Sequence, residues 1–521
     1  MGYAGGFLFT SSWAAISAAL RYTLPPMEKQ LTRTAQNATA IALSTVLSNG
    51  FQFGWVILLA RLLNPADYGT WGTISALIVT AAAIPEFGMG IIVLRDVAQR
   101  PADAGRYLSA TLVAQPLLAL LAYLGLIGLA LLLPNDAATR LLVAFASLSL
   151  IINVFGNMCY NQLLAVEQMV ATSVIIVLHI VFQIVFSFVA LASGGGLIGL
   201  YSATILAGLL RVAMFWAVMR RLEIGPVWPM DGRIVRALFI DGFPIALSSF
   251  LNLAYQHANK VFVFTLLTPT DAGYLTAAFT IVFGVVELIN VTVLTALFPA
   301  MSRLSQSQPQ ALRTLTDRLA FLTLIITLPL GIGISMLAAK LAALLFPGFV
   351  GTAVVLQALI WHAVLMMVGN FYVRLLIIQN KQRRMVAIEV CGLVLNVALN
   401  LFLLPRIGVQ GAGLALFLSQ VVVLALLLLE HRHDADTLRS LARRALGVGA
   451  AGLAMAGAIF ALREANLFVA GLVGCAVYGV GIVTLRTVLP DDWLLLRSAL
   501  SALPIVGPII RQRIFPALRL S

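Results

Sequence analysis

Charged side chains are scarce in this chain: Asp, Glu, Lys and Arg make up 10% of its 521 residues, whereas soluble domains average about a quarter. This scarcity excludes a soluble globular fold. Cys159, Cys391 and Cys475 lie singly in separate apolar runs, which excludes a disulfide framework or a cysteine-based metal centre. A glycine-rich phosphate loop followed by Lys and Ser or Thr is also missing, so ATP hydrolysis by this chain is not expected.

Apolar residues are abundant instead, at 61% of the sequence. They form runs of roughly 20 residues or more, each long enough to cross about 30 Å of hydrocarbon. The runs predict an all-α polytopic membrane protein with about 14 transmembrane helices. In chain order the predicted spans are Thr34–Leu59, Thr70–Leu94, Tyr107–Leu133, Leu141–Leu163, Val170–Ala192, Leu197–Met219, Ala237–Leu267, Ala272–Ala300, Leu319–Leu345, Thr352–Ile378, Val386–Leu404, Ala412–Leu429, Ala445–Leu462 and Leu467–Leu485.

Lys and Arg residues alternate between the two sides of the predicted membrane. The net charge of +13 would suggest a nucleic-acid partner in a soluble protein, but here the basic residues occupy short connections between spans. Because basic connections stay in the cytoplasm, they place both termini and the even-numbered connections there. We call the opposite, lysine- and arginine-poor side the outer side. No nucleic-acid partner is expected.

An internal repeat relates the two halves of the chain. Ile41–Ser44 recurs as Ile245–Ser248, and further matches at the same offset include Pro65 with Pro269 and Gly69 with Gly273. Each unit contains six predicted spans, an even number, so both copies enter the membrane in the same direction. The repeat therefore predicts two six-helix lobes related by a pseudo-twofold axis along the membrane normal, followed by two C-terminal helices.

The predicted organisation follows from these spans. It comprises a cytoplasmic N-terminal segment at 1–33, an N-lobe at 34–219, a cytoplasmic linker at 220–236, a C-lobe at 237–430, a basic loop with spans thirteen and fourteen at 431–487, and an amphipathic cytoplasmic tail at 488–521.

Three segments resemble a known family, the Wzx-type polysaccharide repeat-unit flippases of the multidrug/oligosaccharidyl-lipid/polysaccharide exporter superfamily. Leu59–Gly69 is similar to the family's first outer loop, and Glu86–Met89 is similar to its acidic-Phe-Gly signal. Residues of the eleventh span and the following turn also match: Asn396, Asn400, Pro405, Gly408, Gly411 and Ala412. Where the family often has Asp before the basic residue of span seven, this chain has Asn259 before Lys260.

The resemblance implies a non-enzymatic transporter in the bacterial inner membrane. Such a protein moves undecaprenyl-pyrophosphate-linked oligosaccharide repeat units to the periplasmic leaflet for exopolysaccharide, capsule or O-antigen synthesis. Its implied partners are the lipid-linked oligosaccharide, membrane lipids, a polysaccharide polymerase and a chain-length regulator. No cofactor, catalytic residue or metal site is expected.

Intramembrane polar residues are the candidates for substrate binding, because each ionisable group in hydrocarbon costs at least about 2.5 kcal/mol unless it faces a cavity or partner. Cations suit a pyrophosphate headgroup. The substrate candidates are Lys260, Arg374, Arg211, His257, Gln256 and Gln52. Two alternatives stay open: the arginines snorkel to the membrane edge, and the amides join helices.

Two carboxylates are candidates for ion coupling, since one-way alternating access needs a source of free energy. Glu86 and Glu287 occupy the corresponding spans two and eight of the two lobes. The hypothesis is that one of them binds a coupling proton or sodium ion. The alternative is that each carboxylate only pairs with a cation on a neighbouring helix.

Two other functions compete with the leading one. A cation-coupled multidrug exporter of the same superfamily should use acidic residues in its cavity, which the basic candidates disfavour. A membrane glycosyltransferase or O-antigen polymerase typically has a large periplasmic loop, whereas every predicted outer connection here is short.

Overall fold

The computed structural model describes residues 27–133, 136–284, 286, 309–431, 435–485 and 487–488. Within those ranges the chain is helical and contains no β-strand. The helices are α1 (Met27–Leu62), α2 (Pro65–Glu86), α3 (Met89–Gln99), α4 (Ala104–Leu132), α5 (Ala137–Ala165), α6 (Met169–Ala192), α7 (Gly196–Arg221), α8 (Gly232–Leu266), α9 (269–284), α10 (Pro309–Met336), α11 (Ala338–Leu345), α12 (Thr352–Ile378), α13 (Gln382–Ile407), α14 (Gln410–His431), α15 (Ala435–Ala461) and α16 (Leu467–Thr484).

Twelve described helices are long and apolar enough to cross a membrane, and the bent pair α2–α3 makes a thirteenth candidate. The all-α polytopic fold class is therefore confirmed. The predicted eighth span, Ala272–Ala300, is helical over its described part, and its remainder from 287 onward lies outside the described residues. The predicted cytoplasmic tail falls there from 489 onward.

The second predicted span is broken rather than straight. α2 ends at Glu86 and α3 starts at Met89, with an angle of 44° between them. Gly88 takes the left-handed conformation at φ 68°, and Phe87 lies at φ 45°. Glycine adopts this region without steric cost, and Pro85 in the preceding turn cannot donate a helical hydrogen bond. The sequence Pro-Glu-Phe-Gly is thus the cause of the bend.

The ninth predicted span, Leu319–Leu345, also contains two helices. α10 ends at Met336, and the eight-residue α11 follows after Leu337. Lys340 is the one charged residue between Leu319 and Leu345, so the sequence pattern did not separate the two helices.

The described helices form two compact units. The first contains the described chain up to Gln52, Pro85–Tyr123 and Phe145–Pro244, and the second contains Phe53–Ile84, Leu124–Ala144 and the described chain from Ile245 onward. These limits differ from the predicted lobes at 34–219 and 237–430, which stay a prediction.

Each unit has its own buried core. In the first, Met89, Val97 and Leu238 pack together in one cluster, while Leu108 and Phe215 belong to another. In the second, α10 packs against α15 and α16 through residues that include Phe321, Val448, Met455 and Tyr478. The Tyr478 hydroxyl donates to the Ile325 carbonyl oxygen at 2.8 Å. Helices α15 and α16 are therefore an integral part of the second unit.

Candidate functional site

Lys260 lies on α8 in the second unit and is half-buried. Its Nζ atom is 5.3 Å from the centre of the Phe279 ring on α9. No carboxylate pairs with it among the described residues. A cation over an aromatic face gains more when the pair is desolvated, so Phe279 stabilises a charge that is otherwise unpaired within an apolar helix bundle.

Three asparagines form a buried cluster that includes Asn259, the residue before Lys260 in the chain. Asn259 on α8 and Asn396 and Asn400 on α13 are all fully buried. The Nδ2 atom of Asn400 donates to Asn259 Oδ1 at 2.8 Å and to the Asn396 carbonyl oxygen at 2.8 Å. Amide-to-amide bonds of this kind join helices inside bilayers, so the cluster ties α8 to α13.

The asparagine cluster is not saturated. Asn259 Nδ2, Asn396 Nδ2 and Asn400 Oδ1 have no hydrogen-bond partner in the described part of the chain. Buried polar atoms without partners are costly, and they mark places where a ligand or water can bind. Sequence reasoning identified Asn396 and Asn400 by their family resemblance, and only the structure brings Asn259 to them.

The same helix carries two further predicted substrate residues. Gln256 donates through Nε2 to Asn252 Oδ1 at 2.6 Å, and His257 Nδ1 is buried without a partner among the described residues. Because residues three positions apart share a helix face, His257 and Lys260 are neighbours. We call Asn252–Lys260 the α8 polar segment.

Arg211 lies on α7 in the first unit and is held by α5. Its Nη2 atom donates to Asn153 Oδ1 at 3.0 Å and to the Asn153 carbonyl oxygen at 3.3 Å. A side chain at Gly156 would clash with the guanidinium, because an added Cβ would lie 2.6 Å from Arg211 Nε. The glycine therefore leaves the space that lets this arginine join α5 to α7.

The remaining substrate candidates are separated from the α8 polar segment along the chain. Arg374 is half-buried near the end of α12, four residues before Ile378, and Gln52 is exposed on α1. The structure thus brings Gln256, His257 and Lys260 together on one helix. It places Arg211 and Gln52 in the first compact unit and Arg374 in the second.

Of the two carboxylates predicted to couple transport to an ion, the structure describes Glu86 only. Glu86 is the last residue of α2, directly before the bend, and its side chain is exposed without a partner in the described ranges. Glu287 lies outside the described residues. A third carboxylate, Glu389 on α13, has its Oε2 atom buried without a partner among described residues, a property that the apolar pattern around it does not reveal.

An ionic cluster lies where α10, α12 and α14 meet. The buried pair His431 and Asp317 is separated by 3.2 Å between Nε2 and Oδ1, and the Tyr372 hydroxyl donates to the same oxygen at 3.2 Å. Next to it, Lys381 Nζ is 3.4 Å from Glu430. No group of three or more His, Cys, Asp or Glu side chains in the described chain is arranged to hold a metal.

Comparison with known proteins places this geometry in context. The sequence model of a family described as "Polysaccharide biosynthesis protein" matches residues 34–305, more than half of the chain. A search of curated proteins finds no match.

Solved structures show the same fold at low sequence identity. A structure titled "Lipid II flippase MurJ, inward closed conformation" has a TM-score of 0.67 and 13% identity, covering 86% of this chain and 98% of that chain. An inward-facing multidrug resistance MATE family transporter of the MOP superfamily has a TM-score of 0.59 and 16% identity, covering 76% and 94%. A Vibrio cholerae MATE transporter has a TM-score of 0.50 and 15% identity, covering 78% and 98%.

Proposed function

This chain belongs to the family of polysaccharide biosynthesis proteins, and we propose that it moves an undecaprenyl-pyrophosphate-linked oligosaccharide across the bacterial inner membrane. The observation that carries the proposal is Lys260, an intramembrane ammonium without a carboxylate partner among the described residues. The preceding residue, Asn259, belongs to a cluster of buried amides with spare hydrogen-bonding atoms. A cation suits the pyrophosphate, and amides suit sugar hydroxyls.

Lys260 binds the anionic headgroup of the substrate. Ammonium-to-phosphate contacts are charge-assisted hydrogen bonds, about twice as strong as neutral ones. An unpaired ammonium in hydrocarbon is costly, and a bound pyrophosphate removes that cost. Arg211 and Arg374 are secondary candidates. Arg211 already bonds to Asn153, so it has fewer free donors for a ligand.

Export of cationic drugs is the second candidate, because the fold is also that of MATE transporters. Binding a cationic compound calls for a carboxylate in the cavity. The α8 polar segment offers a lysine, a histidine and amides instead. This charge favours the anionic lipid-linked substrate over a cationic one.

Coupling to a proton or sodium gradient is part of the proposal. Glu86 lies at the bend between α2 and α3, where a change in its charge can alter the angle between the two helices. We assign the ion-coupling role to Glu86. Glu287, the corresponding carboxylate of span eight, is the second candidate for that role. The protein carries the substrate outward from the cytoplasm, with both of its termini on the cytoplasmic side, and a polymerase with its chain-length regulator consumes the product.

Reconstitution tests the proposal directly. The probe is an undecaprenyl-pyrophosphate-linked trisaccharide with a fluorescent group, and its exposure on the outer leaflet of proteoliposomes is measured with an impermeant quencher. We expect flipping above that of protein-free vesicles and a loss of flipping in Lys260→Ala. Absence of flipping together with export of ethidium from the same vesicles would favour the drug exporter.

A further inference from the structure

The two copies of the repeat begin their second helix in the same way on the predicted outer side. Asn64 Oδ1 accepts the backbone N–H of Asp67 at 2.9 Å, and Thr268 Oγ1 accepts the backbone N–H of Asp271 at 3.1 Å. The two pairs are 204 positions apart in the sequence. Each aspartate also accepts a hydrogen bond from its capping side chain. These caps define the first turns of α2 and α9.

The first turns of α2 and α9 contact each other reciprocally. A Cβ added at Gly69 would clash with the Pro269 carbonyl oxygen and lie 2.5 Å from the Gly273 nitrogen. A Cβ added at Gly273 would clash with the Pro65 carbonyl oxygen and lie 2.9 Å from the Pro65 carbonyl carbon. Since Pro65 corresponds to Pro269 and Gly69 to Gly273, each repeat makes the same contact with the other, as in a twofold interface.

The contact continues one turn further along both helices. A Cβ added at Gly72 would clash with the Thr276 side chain and lie 2.6 Å from its Cγ2 atom. Gly72 and Thr276 are themselves equivalent positions of the repeat. Equivalent residues that touch each other lie at the symmetry axis, so residues 65–72 and 269–276 cross there. We call this contact the glycine crossing.

Aromatic side chains surround the glycine crossing. Tyr68 is fully buried, its hydroxyl is 3.3 Å from Thr280 Oγ1, and its ring lies edge-on to Phe349 at 5.3 Å. Arg61, just before the crossing, donates to the Leu344 carbonyl oxygen at 3.0 Å. Tyr68, Phe349 and Arg61 are therefore packed side chains around the crossing.

We propose that the glycine crossing is the outer gate of the transporter in its closed position, and that Gly69 and Gly273 are the positioning residues that allow it to close. The inference rests on the proposed function, because a gate is needed only if the substrate site opens to the two sides of the membrane in turn. Glycine is required at both positions because the two helix backbones are so close that a methyl group does not fit between them. Contacts between small residues bring backbones together through van der Waals packing, and such a contact can separate and form again.

Thiol labelling from outside the cell tests the gate without any substrate. Ala272 is fully buried at the crossing and serves as the reporter through Ala272→Cys, in a chain whose exposed Cys391 and Cys475 are replaced by Ala. The buried Cys159 is kept as an internal measure of folding. A membrane-impermeant maleimide is applied to intact cells, and mass spectrometry quantifies labelling at each position.

Gly69→Ala and Gly273→Ala should each raise labelling at position 272 by roughly tenfold, because overpacking one of two states shifts the population to the other. The matched control is Gly125→Ala, since nothing lies within 4 Å of a Cβ added there. Unchanged labelling in both gate variants would overturn the proposal. The proposal would also be overturned if labelling rose equally at Cys159, or if Gly125→Ala raised labelling at position 272 as much. Either result would show that the substitutions disturb the fold in general.

A size exchange at the next turn provides a second, independent test. Gly72→Ala should raise labelling at position 272, and Thr276→Gly in the same chain should return it to the starting level, because the atoms that block a Cβ at Gly72 belong to the Thr276 side chain. Rescue supports the gate. Persistent labelling in the double variant contradicts it. Neither result depends on the identity of the transported lipid, so failure here is distinguishable from failure of the proposed function.

Discussion

The ammonium of Lys260 lies 5.3 Å from the centre of the Phe279 ring, and the two residues belong to consecutive helices of the second unit. Phe279 is itself buried, with 4% of its surface exposed. The pair therefore holds a positive charge inside the bundle with an aromatic face as its counterpart. A substrate phosphate would compete with the Phe279 ring for the ammonium. Mutation of Lys260 and mutation of Phe279 should therefore have different effects on transport and stability.

Removal of the ammonium should abolish most of the flipping. We predict that Lys260→Ala lowers the initial flipping rate by about 10- to 100-fold, the order expected for loss of one charge-assisted hydrogen bond. Lys260→Arg should retain a larger share of the rate because the charge remains. The fluorescent trisaccharide assay measures both. The control is Arg463→Ala, an exposed cation paired with Glu464, and an equal loss there would contradict a specific role.

Truncation of the aromatic partner should affect stability more than transport. Phe279→Ala removes buried surface as well as the face over Lys260, and cavities of this type cost about 3–5 kcal/mol in soluble proteins. We predict a lower thermal unfolding midpoint in detergent for Phe279→Ala and a smaller decrease for Phe279→Leu. Leu120→Ala, at an exposed position, is the control. Equal midpoints for all three variants would contradict a packed Lys260–Phe279 pair.

The asparagine cluster predicts a stabilising role for Asn400. Asn400→Ala removes the bonds to Asn259 and Asn396 and should cost about 1–2 kcal/mol, within the range for interhelical hydrogen bonds in membranes. Thermal unfolding in detergent measures the change. Leu401→Ala, on the next and exposed position of the same helix, should have little effect, and a larger loss there would count against the cluster.

Substitutions at Arg211 and Gly156 should have coupled effects on stability. Gly156→Ala displaces the guanidinium, so its effect on stability should resemble that of Arg211→Ala, and the double variant should lose less than the sum of the two. Gly128→Ala is the matched control, because a Cβ there meets nothing within 4 Å. Additive losses in the double-mutant cycle would show that the two residues act separately.

Neutralising Glu86 should uncouple transport from its gradient. We predict that Glu86→Gln abolishes the acceleration of flipping by an imposed proton or sodium gradient and leaves the gradient-free rate within about twofold, as expected for a coupling group outside the substrate contacts. Applying each gradient separately identifies the ion. Glu464→Gln, at a carboxylate that is 92% exposed, is the control. An unchanged gradient response in Glu86→Gln would remove Glu86 from the mechanism.

Much of the fold follows from local sequence. The helices appear where apolar runs are long enough to span hydrocarbon, and the bend at Phe87 and Gly88 appears where proline and glycine interrupt a run. The caps at Asn64 and Thr268 were not predicted, and the structure shows them. The break between α10 and α11 did not follow, because the predicted span Leu319–Leu345 contains both helices and carries a single charged residue, Lys340.

The sequence by itself determined that this chain is an all-α protein with many membrane-spanning helices, and it contains an internal repeat and basic connections. Hydrophobic length, charge and repetition are properties of the chain alone. Only the tertiary structure decided which residues meet: Lys260 with Phe279, Asn259 with Asn400, Arg211 with Asn153, and Gly69 with Pro269. In a soluble helix the apolar stripe marks the buried face. In a bilayer the lipid-facing side is as apolar as the packed side, so the pattern along a helix does not reveal which face meets its neighbour.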